Sequence, residues 1–171
     1  RLGTKYHINP IKKAGYINIL DRLLRCHRNI STTEPIFNEL LNSSRKMQGN
    51  FDDTRILKKS LDKLVDDLSG NLIYFYGEKA EEKHRFAKEV YQLKLRYELS
   101  DPDFDLVVSS VILGREGNNL ALVSNDLNLL RCCEHIKHIY SDIKELLKAF
   151  TILGIQKILP RYKIFEQRSY N

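Results

Sequence analysis

The chain has 171 residues, a net charge of +6, 42% hydrophobic residues and 29% charged ones. That is one domain's worth of chain with enough apolar side chains for a core, which excludes a disordered or fibrous composition. No apolar run approaches the ~20 residues needed to cross a bilayer, and the positive balance leans modestly toward an anionic partner such as nucleic acid.

In chain order, the first strand is expected at Lys5–Ile8 and an amphipathic helix at Ile17–Leu24. An extended piece, Asn29 to Thr32, leads to Thr33 as a helix cap with Pro35 in the first turn; Ile36, Phe37, Leu40 and Leu41 share a face of that helix. Asn42 to Asp53 reads as a loop or frayed end. Ile56, Leu57, Leu61, Leu64, Val65 and Leu68 then mark a second amphipathic helix, stopped by Ser69-Gly70-Asn71. Leu72 to Tyr76 reads as a strand, followed by a highly charged helix from Glu78 to Leu99.

Asp101-Pro102 is expected to open the next helix, whose stripe of Phe104, Val107, Val108, Val111 and Ile112 predicts burial. After a turn at Gly117-Asn118-Asn119, Leu120 to Ser124 reads as a continuous apolar strand of a buried parallel sheet. A helix is expected from Leu127 to His135, a strand at Ile139-Tyr140, and a last helix from Ile143 to Phe150 capped by Ser141-Asp142. The domain is taken as residues 1–150, with a basic C-terminal tail over 151–171. The alternation predicts an α/β fold, a three-layer α/β/α arrangement with a mainly parallel central sheet. Such sheets collect their sites beyond the carboxyl ends of strands.

Cys26, Cys132 and Cys133 are an odd set with an adjacent pair, which does not fit a disulfide framework. A reducing, intracellular setting, cytoplasm or nucleus, is the expectation. No ligand spacing for zinc appears, and Cys132 and Cys133 are expected as buried helix residues. His135 and His138 are expected at the surface. The chain opens at Arg1 rather than Met, and is expected to be a domain of a larger parent chain.

Acidic residues fall where a site would collect: Glu39 in the helix after the second extended piece, Asp103 and Asp105 at the start of the buried helix, and Asp126 just past the strand ending at Ser124. Each has a structural alternative. Asp103 and Asp105 also suit a helix amino end through the macrodipole, Asp126 suits a helix cap, and Glu39 suits a solvated helix edge. Grouped carboxylates repel one another unless a cation compensates, and Mg2+ or Mn2+ does so with hard oxygen ligands. Such an ion makes bound water more acidic and stabilises charge on a phosphodiester. Ser124 is either a strand-end filler or an orienting hydrogen-bond partner of Asp126, and Asn125 fits turn chemistry. Lys12, Lys13, Arg22 and Arg25, and Lys157, Arg161, Lys163 and Arg168 in the tail, either track an RNA backbone or form a solvated charged surface. Tyr74 and Tyr76 are either base-stacking groups or sheet residues.

The run Asp103-Phe104-Asp105-Leu106-Val107-Val108-Ser109-Ser110, followed by Leu120 to Leu129 with its Ser124-Asn125-Asp126 block, resembles the second half of a PIN domain. Ile30 to Leu40 resembles that family's strand and Glu-bearing helix. The likeness spans roughly Lys5 to Phe150. It implies a metal-dependent endoribonuclease that cuts single-stranded RNA with metal-activated water. Glu39, Asp103, Asp105 and Asp126 would be the Mg2+ or Mn2+ ligands, with Ser124 and Asn125 in support and Asn9 completing the catalytic set.

One position departs from the family, whose first strand normally ends in Asp: here Asn9 stands in that place, within His7-Ile8-Asn9-Pro10. An engineered change, a naturally degenerate domain, or a different alignment of this end all fit. The alternative to a nuclease is therefore a PIN-like module that binds RNA or a protein partner without cutting. A nucleotide-binding α/β domain is a further alternative, but the chain has neither G-x-x-x-x-G-K-[ST] nor G-x-G-x-x-G. The sequence does not specify an oligomeric state.

Overall fold

The computed structural model describes residues 15, 17–19, 30–47, 52–144 and 147–151. The protein is a mixed α/β chain, mostly helical, with strands β1 (Thr32–Thr33), β2 (Leu72–Ile73), β3 (Leu120–Val123) and β4 (Leu147–Phe150). Among the described residues the helices with defined bounds are α1 (Glu34–Lys46), α2 (Asp52–Leu68), α3 (Glu78–Glu89), α4 (Tyr91–Arg96), α5 (Asp101–Arg115) and α6 (Leu127–Ile139), with a 3-10 turn at Ser141–Ile143; residues 15 and 17–19 are also helical. The expected first strand, Lys5–Ile8, and the tail beyond Thr151 lie outside the described residues. Among the described residues no helix is long and apolar enough to cross a membrane. The chain divides into two compact units, one of residues 1–31 and 37–72, the other of 32–36 and 73–171.

In the first unit, α2 buries Leu57, Leu61, Leu64, Val65 and Leu68, the i, i+4, i+7, i+8, i+11 stripe of an amphipathic helix. The polar stretch Asn42–Asp53, expected as a loop or a frayed helix end, is helical at both of its described ends: α1 runs on to Lys46 and α2 starts at Asp52. The reason is a polar link between the two helices. The buried Ser44 hydroxyl donates to Asp62 Oδ1, and Lys58 Nζ sits 3.0 Å from Asp62 Oδ2.

The second unit is organised around α5. Val107, Val108, Ser109, Val111 and Ile112 are all but inaccessible, and α5 packs against α3, α6, β3, β4 and the 3-10 turn. Its buried positions include the small residues Ser109, Ser110 and Gly114, and at Gly114 a Cβ would meet Ile143 and Leu147 at the ordinary contact distances of 3.8 and 3.9 Å. β3 and β4 pair in parallel, with Leu120 opposite Leu147 and Leu122 opposite Ala149. Parallel neighbours need a long crossover, and α6 supplies it.

The described strands form two two-stranded sheets, β1–β2 and β3–β4, and several expected elements are corrected. β3 is not buried on both faces: Ala121 and its partner Lys148 are exposed, while Leu122 and Leu147 point into the core. Residues 147–150, expected as helix, form β4. Their apolar spacing suits either period, and pairing with β3 decides. Ile139 ends α6 instead of forming a strand. Only Leu72–Ile73 of the run to Tyr76 is strand.

The charged helix expected over Glu78–Leu99 breaks at buried Val90 into α3 and α4. The second piece ends in a Schellman motif: Leu99 N–H donates to Lys94 O (3.1 Å) and Glu98 N–H to Leu95 O (3.2 Å). Glu98 therefore occupies the left-handed position, with φ of 51°. A Cβ there is unfavourable by roughly 1 kcal/mol.

Two outcomes follow. Glu98→Gly, at an exposed position where no packing is lost, raises stability by about 1 kcal/mol in urea denaturation. For Asp62, the Ser44 hydrogen bond and then Lys58 hold the carboxyl below its ordinary value of 3.8. A depressed acid contributes stability that is complete above the unfolded-state value and is lost as pH falls through the lower folded value. The melting temperature of wild type should thus fall more steeply below pH 4 than that of Asp62→Asn, whose curve should lie lower at neutral pH and converge on wild type in acid.

Candidate active-site cleft

Ser100, not Asp101, caps α5. Its hydroxyl accepts from Asp103 N–H (3.2 Å) and donates to Asp103 Oδ2 (2.6 Å), and Pro102 sits within the first turn. The expected cap moves by one residue, because serine accepts the amide three residues on while Pro102 needs no donor partner. Asp103 is thereby engaged at the helix end. Asp105 falls in the second turn rather than the first, on the edge of the helix beside Phe104 and Val108.

Asp105 lines a cleft of about 470 Å3 within the second unit, together with Thr33, Tyr74, Phe75, Lys83 and His84. Its Oδ1 lies 2.6 Å from Lys83 Nζ, and both side chains are only about a quarter exposed. Its Oδ2 is buried and has no hydrogen-bond partner among the described residues; the same holds for Thr33 Oγ1. Buried acceptors are usually satisfied by protein, water or a ligand. Lys83 Nζ also stands 5.1 Å from the centre of the Phe75 ring.

Lys83 is a residue that the sequence reading missed, and Thr33, expected to cap α1, lies in β1 with its Oγ1 making no capping hydrogen bond among the described residues. Lys83 was hidden in a helix that is charged throughout, yet it shares the stripe of Phe86, Ala87 and Val90. A cation on an apolar stripe is the available signal.

At the far end of β3, Ser124 N–H donates to Phe150 O (3.0 Å), which extends the pairing past Val123. The Ser124 hydroxyl accepts from Asp126 N–H (3.0 Å), so its orienting contact reaches the main chain of Asp126. Asp126 Oδ1 in turn accepts from Asn128 N–H (2.7 Å) and Leu129 N–H (3.2 Å), capping α6. Asn125, between them, is an exposed bend residue.

Helix α5 and strand β3, joined over residues 116–119, pack against each other. Asp126 is exposed and is not among the residues that line the cleft of Asp105. Glu39 is exposed on α1 and belongs to the first unit. Asn9, Lys12, Lys13, Arg22 and Arg25 lie outside the described residues, as do Lys157, Arg161, Lys163 and Arg168. Among the described residues, no three His, Cys, Asp or Glu side chains group as a metal site.

Other titratable groups in this unit are structural. Cys132 and Cys133 are buried free thiols on α6, as expected, and burial pushes them up to about 11 and about 12. His138 is exposed, but His135 is half-buried and hydrogen-bonds through Nδ1 with Tyr97 Oη (2.8 Å), which corrects its expected surface role. Arg115 lies 4.6 Å from the Phe86 ring centre and 3.2 Å from Asp142 Oδ2.

Compared with protein-family models, curated proteins and solved structures, the chain matches none of them.

The half-buried ion pair has a measurable consequence. Lys83→Met leaves the Asp105 carboxylate uncompensated and should lower stability by about 1–3 kcal/mol. Adding Asp105→Leu should recover most of that loss; a double mutant no more stable than Lys83→Met would show that the two side chains are not coupled.

Proposed function

We propose that this protein is a metal-dependent endoribonuclease domain of PIN type, acting on single-stranded RNA. The observation that carries the reading is Asp105. Its Oδ2 is buried in a cleft with no hydrogen-bond partner among the described residues.

The donor chemistry fits the ion. Asp105 and Asp126 offer hard carboxylate oxygens of the kind that Mg2+ or Mn2+ prefers. These two residues would hold the cation. When bound, the ion supplies a more acidic water nucleophile and neutralises charge at the phosphodiester. The chain's own residues do the rest. Ser124 fixes the backbone of Asp126. Lys83 neutralises Asp105 and lines the same cleft, where it is a cation for an incoming phosphate.

A second reading is a PIN-like module that binds RNA or a protein partner without cutting, and Asn9 favours it. Asparagine is neutral and a poorer ligand for a hard cation than aspartate.

One assay separates the readings. Wild type titrated with Mn2+ on a single-stranded RNA should cut, and Asp126→Ala should lower the rate by more than the ~100-fold reached when outer-shell partners of a metal are removed. Asn9→Asp should raise the rate. If wild type is inert and Asn9→Asp cuts, the natural role is binding. If neither cuts at any Mn2+ concentration, the nuclease proposal fails.

A further inference from the structure

The segment between β2 and α3 carries large aromatic rings in the open. Tyr74 and Tyr76 are 52% and 77% exposed, and their ring centres are 6.2 Å apart with planes only 28° from parallel. The local sequence explains the arrangement. Tyr74-Phe75-Tyr76 continues the two-residue alternation of an extended chain after the ladder of β2 has ended. Phe75 turns inward onto the core of the second unit, so the tyrosines on either side of it turn outward together. Gly77, with φ of 54°, then turns the chain into α3.

Core packing therefore accounts for Phe75 and not for its neighbours. Two adjacent exposed rings, nearly parallel, are not required by the fold, since polar residues would serve at both positions. Tyr74 also lines the cleft that holds Asp105 and Lys83. A planar, π-faced ligand that carries negative charge matches all three features: open rings, a nearby ammonium group and a cleft wall. A nucleobase on a phosphate backbone is such a ligand, and stacking on tyrosine is tolerant of base identity.

We propose that Tyr74 and Tyr76 form a stacking platform for unpaired bases of single-stranded RNA, beside the cleft of Asp105. This rests on the reading of the cleft as an RNA site, and it narrows the substrate to strands whose bases are free to leave their own stack. Duplex RNA, with its bases stacked internally, is excluded from the platform.

The test is fluorescence anisotropy with the full chain and a fluorescein-labelled 12-nucleotide single-stranded RNA in EDTA, so that binding is read without cutting. Tyr74→Leu/Tyr76→Leu should weaken binding by about tenfold for each ring removed, with an unchanged salt slope because no phosphate contact is lost. Tyr74→Phe/Tyr76→Phe should bind within about twofold of wild type, because the rings remain. On wild type, the same RNA with abasic sites should bind as weakly as the intact RNA binds the leucine pair. Equal binding of wild type and the leucine pair, equal loss in the phenylalanine pair, indifference to abasic sites, or no RNA binding by wild type would each overturn the platform. Ring-dependent binding without Mn2+-dependent cleavage would support the platform while defeating the nuclease reading. Cleavage with ring-independent binding would do the reverse.

Discussion

A carboxylate on a helix that is otherwise enclosed has to be compensated where it stands. Helix α5 is buried along nearly its whole length, and Asp105 is its acidic side chain at the edge of that burial. One oxygen meets Lys83 at 2.6 Å, and the other meets no described partner. An ion pair of this kind recovers little of the desolvation that it incurs, and replacing such pairs by apolar residues is often neutral or stabilising. Packing alone therefore gives α5 no reason to carry an acid here. The cost of keeping it there is the physical ground for reading the cleft as functional.

The rest of the second unit follows from α5. Its burial requires partners on several sides, which α3, α6, β3 and β4 supply. Its carboxyl end leads through Gly117, with φ of 85°, into β3, which packs against the helix. β3 then feeds α6 through the Ser124–Asp126 turn, whose hydrogen bonds both end the strand and cap the helix. The same two carboxylates thus serve the fold and the proposed chemistry. Asp126 caps a helix through one oxygen, and Asp105 is held by a lysine.

Much of this was legible in the sequence. Phe104, Val107, Val108, Val111 and Ile112 fit one helical stripe, and no strand reading competes at that length. Leu120–Val123 and the Ser124–Asp126 block were readable because an apolar run and a turn signal meet there. The last segment was not: Ile143, Leu147 and Phe150 fit a helix as well as a strand, and only the partner strand β3 distinguishes them. The break at Val90 is set by tertiary burial of a single side chain. Lys83 escaped notice because a charged helix hides one cation among many. The outward turn of Tyr74 and Tyr76 follows from the alternation around Phe75 once that ring packs onto the core, a tertiary contact.

The central claim is that Asp105 and Asp126 together receive a divalent cation. Paramagnetic broadening of backbone amide signals by substoichiometric Mn2+ tests it without reference to catalysis. The account predicts that signals of residues 103–107 and 124–128 broaden first, and that Asp126→Ala relieves both sets together. Broadening centred on other acids, such as Asp66 and Asp67, or persisting around Asp105 when Asp126 is removed, would contradict it.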